Sequence, residues 1–403
     1  MRREAAEKNR TKEPLFHIVK REQLPSFKIW LIRLLAVAGG FIFICLISFF
    51  ATKKSPVDVV KYMFDGTFGS TRNVFVLLRE TAILLLIALA VTPAFKMKFW
   101  NIGAEGQTLI SCFACTACMF YLGGKISDGL LIFISLVCSL LAGAIWAVIP
   151  AIFKAIWNTN ETLFTLMMNY IALQIVLYYI KVWVPTGSGI LSPIEYGNLA
   201  KIGGGDYWIS IIVALMFTVS VYLYMRYSKH GYELSVVGES ENTAKYIGIN
   251  VKKVIIRTLI LSGIICGLTG FILTAGINHM VSESSVDGRG FTAVLISWLA
   301  QFNPLIMVAV AFLVAFLSRG TSKVMESSGV TNEFFSEVVI GIIYMIVIAC
   351  EFFISYRIIF RRKANHSQRS GLTVSGGSGI TAENSGANVQ TAATAGAESM
   401  EGK

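Results

Sequence analysis

The chain has 403 residues, of which 55% are hydrophobic and only 15% are charged. A soluble domain carries about 25% charged residues, so this composition excludes a cytosolic enzyme. The net charge of +11 does not indicate nucleic-acid binding, because the basic residues lie mainly beside apolar segments, as in membrane proteins.

Apolar segments of about 20 residues, long enough to cross a hydrocarbon core, recur along the chain. They predict an all-α, polytopic membrane protein with a transmembrane domain over 34–360. A basic leader, residues 1–33, precedes this domain, and a polar tail, residues 361–403, with a composition typical of disorder, follows it. The predicted spans are 34–51, 74–95, 100–121, 130–153, 163–183, 208–226, 256–278, 291–317 and 334–356.

The segment 291–317 contains Asn303-Pro304 near its middle. Because proline disfavours helix at the preceding residue and lacks a donor, the segment is predicted to break there, which raises the number of crossings from nine to ten. With ten crossings and a cytoplasmic N-terminus, 24 Lys and Arg residues lie inside and 11 outside, against 20 and 15 with nine. The positive-inside rule therefore favours ten crossings with both termini in the cytoplasm.

No motif of an enzyme or a metal site is recognisable. The Cys-x-x-Cys-x-x-Cys pattern of Cys112, Cys115 and Cys118 lies in an apolar run that contains no His or carboxylate. We therefore interpret these cysteines as small packing residues of a membrane helix. The chain has no Gly-x-x-x-x-Gly-Lys-[Ser/Thr] phosphate loop. We therefore expect no catalytic residues, no metal and no cofactor in this chain.

Polar residues cluster at the start of the third span, in Asn-Ile-Gly-Ala-Glu-Gly-Gln over 101–107. A carboxylate at membrane depth costs at least about 2.5 kcal/mol, which indicates a function for Glu105. The alternative is an interfacial helix cap, with Asn101 as the N-cap and Glu105 in the first turn. Asn101, Glu105 and Gln107 are candidate residues of a substrate pathway.

Further polar candidates lie on the fifth span and on the broken segment. Asn169 and Gln174 either line a pathway or form hydrogen bonds between helices. On the broken segment, Trp298, Gln301 and Asn303 are the remaining pathway candidates. A separate Gly-x-x-x-Gly pattern in the seventh span predicts close helix packing.

The loop 227–255 is predicted to carry a short helix outside the membrane. Ser240 is a suitable N-cap and Gly248 a suitable stop. Such a helix, with Ala244 and Ile247 on one side, suits docking of a cytosolic partner. An unattached amphipathic connector fits the same residues.

These residues resemble the membrane permease subunits of ABC transporters for simple sugars and nucleosides, in the branch paired with nucleoside-binding lipoproteins of the basic-membrane-protein type. The similarity rests on 101–107, on Asn160-Glu161 with 166–172, on 238–250, and on 290–304. It departs at Trp100, where the family has Phe, at Thr243-Ala244, where the family has two alanines, and at 298–302, which is bulkier here.

The resemblance implies a nucleoside importer of the cytoplasmic membrane. Its implied partners are a cytosolic ATPase that binds ATP, a second permease that is a paralogue, and an extracellular substrate-binding lipoprotein. The ATPase would contact 227–255, with Gly238, Glu239, Ala244 and Gly248 as coupling residues.

Two other functions are compatible with the residues. One is a permease for a simple sugar, although the bulk of Trp298 and Phe302 favours a flat base over a free sugar. The other is an ion-coupled secondary transporter, for which Glu105 or Glu80 would be the coupling carboxylate.

Overall fold

The structure, a computed structural model, describes residues 16–20, 25–52, 55–184, 191–201, 205–327 and 356–360, together with scattered positions between 338 and 354. Its described residues are almost all helical, which confirms the predicted all-α class. The helices are α1 (Ser26–Thr52), α2 (Pro56–Phe68), α3 (Thr71–Lys96), α4 (Ala104–Leu122), α5 (Asp128–Trp157), α6 (Glu161–Trp183), α7 (Trp208–Tyr227), α8 (Lys229–Glu239), α9 (Glu241–Tyr246), α10 (Val251–Phe271), α11 (Arg289–Leu299) and α12 (Pro304–Ser327).

Six described helices are long and apolar enough to cross a membrane: α3, α5, α6, α7, α12, and α10 extended to Asn278 by a π-helical segment. The chain is therefore a multi-pass membrane protein. Helix α4 is central and contacts α5, α6 and α10. The predicted last span, 334–356, and the tail 361–403 lie almost entirely outside the described residues.

The chain reverses at the predicted break. Helix α11 ends at Leu299 and α12 begins at Pro304. Residues 80 and 92 of α3 meet residues 289 and 297 in the same order, so α3 and α11 run parallel. Helix α12 runs the other way. Its early residue Met307 lies near Thr92 at the end of α3, whereas its later residue Gly320 packs on Met63 of α2, the helix that directly precedes α3. The break at Asn303-Pro304 is thereby confirmed.

The glycines of α10 permit a close contact with α5. A Cβ atom on Gly263 would lie 2.7 Å from the Cβ atom of Ala147, and one on Gly267 would lie 2.7 Å from the carbonyl oxygen of Ser139. These two contacts show that α5 and α10 run antiparallel. The Gly-x-x-x-Gly pattern therefore serves packing within the chain, as its spacing predicts.

A separate compact unit contains the two strands β1 (Phe16–Lys20) and β2 (Tyr356–Phe360). They pair antiparallel, with Phe16 opposite Phe360 and Lys20 opposite Tyr356. Sequence patterns did not predict this ladder.

Candidate functional site

The entry to α4 is held by the side chain of Asn101, which is fully buried. Its Oδ1 atom accepts hydrogen bonds from the Gly103 backbone N–H (3.0 Å) and from Nε2 of Gln107 (3.3 Å). Its Nδ2 group donates to Oγ of Ser262 on α10 at 3.1 Å. Asn101 is not the N-cap, because that position is Gly103. The amides of Asn101 and Gln107 thus fix a non-helical entry against α10.

Asn169 connects α6 to the same entry. Its Oδ1 atom accepts from the Gly106 N–H (2.9 Å) and its Nδ2 group donates to the Ile102 carbonyl (3.0 Å). A Cβ atom on Gly106 would lie only 2.8 Å from Oδ1 of Asn169, so the helices approach this closely only because residue 106 is glycine. In this conformation Asn169 therefore forms hydrogen bonds between helices, which was the alternative to a pathway-lining role.

Glu105 binds the backbone that leads into α11. One carboxylate oxygen accepts from the Gly288 N–H at 2.9 Å and the other from the Gly290 N–H at 2.6 Å. Gly288 has a φ of +70°, and a Cβ atom on Gly290 would collide with the Glu105 backbone. The Gly-Arg-Gly sequence at 288–290 was the available signal for this contact, but sequence alone could not pair it with residue 105.

A charged network surrounds the same region. Glu80 accepts from Arg79 at 3.2 Å and from Arg289 at 3.0 Å, and Arg79 also reaches Asp206 at 3.3 Å. Each of these side chains is less than one-third exposed. The charge of Glu80 is thereby balanced by two arginines. Of these residues, only Glu80 was identified from the sequence.

An aromatic cluster lies at the turn between α11 and α12. It is defined here as Phe95 of α3, Trp100 before α4, and Trp298 and Phe302 at the turn itself. The ring centroids of Trp100 and Trp298 lie 5.0 Å apart, and Phe95 stacks on Phe302 at 6.2 Å. Trp298 is 46% exposed and Trp100 is 40% exposed, so both indoles keep an open face.

Two other candidates shape this turn. Gln301 is exposed and has a φ of +51°. Asn303 accepts from the Leu305 N–H at 3.1 Å, which satisfies a backbone donor at the start of α12. The structure thus brings Trp298, Gln301 and Asn303 together at one turn.

The predicted loop helix is present as α9. Ser240 caps it by accepting from the Thr243 N–H at 3.2 Å, and Gly248 follows with a φ of +84°. The expectation that Ala244 and Ile247 share one docking side is not met, because Ala244 is fully buried against the helical bundle whereas Ile247 is half exposed. The short helix therefore presents a different side outward, where Tyr246 is 93% exposed.

The remaining coupling candidates frame α9. Gly238 packs against the Lys96 carbonyl so closely that any side chain would collide, whereas Glu239 is exposed. Arg257 donates to Glu233 at 2.8 Å, and this hydrogen bond lowers the pKa of the Glu233 carboxyl. A surface groove runs beside α9; its walls include Met97, Lys98, Phe99, Lys154, Glu161, Glu239 and Glu241.

Residues 73–348 match the family model described as "Branched-chain amino acid transport system / permease component". The chain belongs to this permease family. It is therefore a permease subunit, and such subunits work within ABC systems that include an ATPase and a substrate-binding partner. No solved structure matches the chain with significance.

Three curated permeases show the range of similarity. The guanosine ABC transporter permease protein NupP of Bacillus subtilis is 30% identical over 71% of this chain and 83% of its own length. The nucleoside ABC transporter permease protein NupB of Lactococcus lactis is 25% identical over 79% and 90%. The glucose ABC transporter permease protein TsgB13 of Haloferax volcanii is 27% identical over 79% and 88%.

Proposed function

We propose that this permease forms half of the pathway of an ABC importer for nucleosides, with purine nucleosides as the main substrates. The observation that carries the proposal is the similarity to permeases named for guanosine and for nucleosides. The open indole faces of Trp100 and Trp298 support it, because a nucleobase offers a flat surface that stacks on aromatic rings.

The buried amides act on this pathway indirectly. The amide groups of Asn101, Gln107 and Asn169 form hydrogen bonds at the α4 entry, and Glu105 binds the backbone at the start of α11. They therefore position α4, the helix on which α6 packs, and α11, which leads to the turn with Trp298. Trp298, Gln301 and Asn303 lie at the turn where substrate would pass.

ATP is bound by a separate cytosolic ATPase. The ATPase contacts the outward side of α9 around Tyr246 and the adjoining groove, with Gly238, Glu239, Ala244 and Gly248 shaping that surface. A paralogous permease completes the pathway, and an extracellular lipoprotein delivers the substrate. Both termini lie in the cytoplasm, in agreement with the excess of Lys and Arg on that side.

A simple-sugar permease is the second candidate, because one relative is named for glucose. Uptake of labelled guanosine, adenosine, uridine, ribose and glucose, measured in cells with and without this gene, separates the two. We expect the deletion to abolish uptake of purine nucleosides and a plasmid copy to restore it. Loss of ribose or glucose uptake, with all nucleosides unaffected, would overturn the nucleoside assignment and leave the permease assignment intact.

A further inference from the structure

Helix α6 packs against the rest of the chain mainly on one side. Its buried residues recur at helical spacing and face α4: Thr165, Met168, Asn169, Ala172, Val176, Ile180 and Trp183. Near the start of the helix, Phe164 also packs on Phe153 of α5, with ring centroids 4.8 Å apart. The remaining outward side of α6 is exposed and faces lipid, water or another subunit.

Exposed residues along the centre of that outward side form what we call the α6 stripe, defined as Met167, Tyr170, Gln174 and Tyr178. Their spacing of three or four residues places them on one line along the helix. Tyr170 is 58% exposed and Tyr178 is 64% exposed. The stripe therefore points directly away from the body of the protein.

Aliphatic and aromatic residues flank the stripe on both sides. One flank carries Leu166, Leu173 and Leu177, and the other carries Phe164, Ile171, Ile175 and Val182. A helix side that faced only lipid would carry such residues throughout. The polar groups are instead restricted to the central line.

Gln174 is the decisive member of the stripe. It lies near the middle of α6, it is exposed, and it has no hydrogen-bond partner in the part of the chain that the structure describes. An amide in hydrocarbon without a partner costs several kcal/mol. Polar side chains inside membrane spans accordingly face a bundle interior or a water-filled cavity.

We infer that the α6 stripe is a nucleoside-binding wall of the transport pathway, closed on its far side by the second permease. Gln174 provides a donor and an acceptor for a base edge or a ribose hydroxyl, and Tyr170 and Tyr178 provide rings one helical turn to either side for stacking. The inference rests on the proposed function, since it assigns the substrate contacts of that same pathway.

Thiol labelling tests the placement. Gln174→Cys and Ile171→Cys are each expressed in deletion cells and treated with a hydrophilic, membrane-impermeant thiol reagent, with the wild-type chain as the measure of labelling at its native cysteines. We expect labelling above that background only for Gln174→Cys, and we expect guanosine to suppress it. Background labelling of both variants, or labelling that guanosine does not change, would overturn the inference.

Transport kinetics test the chemistry. Gln174→Leu and Tyr170→Leu are expected to raise KM for guanosine by about tenfold, in keeping with a lost hydrogen bond or a lost stacking contact. Ile171→Leu, on the apolar flank, is the matched control and is expected to keep the wild-type KM. Unchanged KM in both stripe variants would overturn the inference. If wild-type cells themselves take up no guanosine, the proposed function has failed instead, so the two failures are distinguishable.

Discussion

Replacing Glu105 by glutamine tests whether its carboxylate anchors the start of α11. The carboxylate accepts two backbone hydrogen bonds, from Gly288 at 2.9 Å and from Gly290 at 2.6 Å. A glutamine oxygen can keep one of them, but its NH₂ group then faces the other N–H as a second donor. Loss of one hydrogen bond to a charged group costs about 1.5–3 kcal/mol.

A charge that only stabilised the helix end would contribute about 0.3–1 kcal/mol. Thermal unfolding in detergent and guanosine uptake at matched expression distinguish the two cases. The control is Glu326→Gln, because Glu326 is 71% exposed and forms an ion pair with Lys323 on its own helix, and such surface pairs contribute about 0–1 kcal/mol. We expect Glu105→Gln to be clearly less stable than the control and to transport less. Equal stability and uptake of the two variants would refute the anchoring role.

Three further predictions concern packing, docking and pH. Gly263→Leu should lower the unfolding temperature in detergent, because overpacking a close helix contact costs at least about 1–3 kcal/mol, whereas Gly129→Leu, with open space around it, should not. Tyr246→Ala should fold normally but reduce uptake and co-purification of the ATPase; normal values of both would remove Tyr246 from the docking surface. Arg257 lowers the pKa of Glu233, so their pair stabilises the fold above the ordinary glutamate pKa of 4.5 and loses its effect as the pH falls further. Arg257→Ala should therefore lower the unfolding temperature at pH 7 more than at pH 3.5, and an equal loss at both would contradict this.

The helices were largely predictable because their signals are local. Apolar segments about 20 residues long located the spans, and the Asn303-Pro304 dipeptide located the reversal between α11 and α12. The cap at Ser240 and the stop at Gly248 likewise depend on neighbouring residues. Helices α2 and α8 were missed, because both are too short to register as membrane spans.

The polar contacts were not predictable, because they join residues far apart in the chain. The pairing of Glu105 with the backbone at 288–290 spans more than 180 residues. The burial of Ala244 could not be predicted from the sequence either, because a six-residue helix shows too little periodicity to reveal its buried side. Polarity alone likewise could not separate Asn169, which is bonded within the chain, from Gln174, which is exposed five residues later.

ATP-driven uptake by the intact complex tests the central claim most directly. The complex is purified through a tag on this chain and reconstituted in proteoliposomes, and labelled guanosine is supplied with the binding lipoprotein on the side opposite to ATP. We predict guanosine accumulation that requires ATP hydrolysis, stops with a non-hydrolysable ATP analogue, and persists when proton and sodium gradients are collapsed. Guanosine accumulation that follows an ion gradient without ATP would contradict the account and identify an ion-coupled transporter.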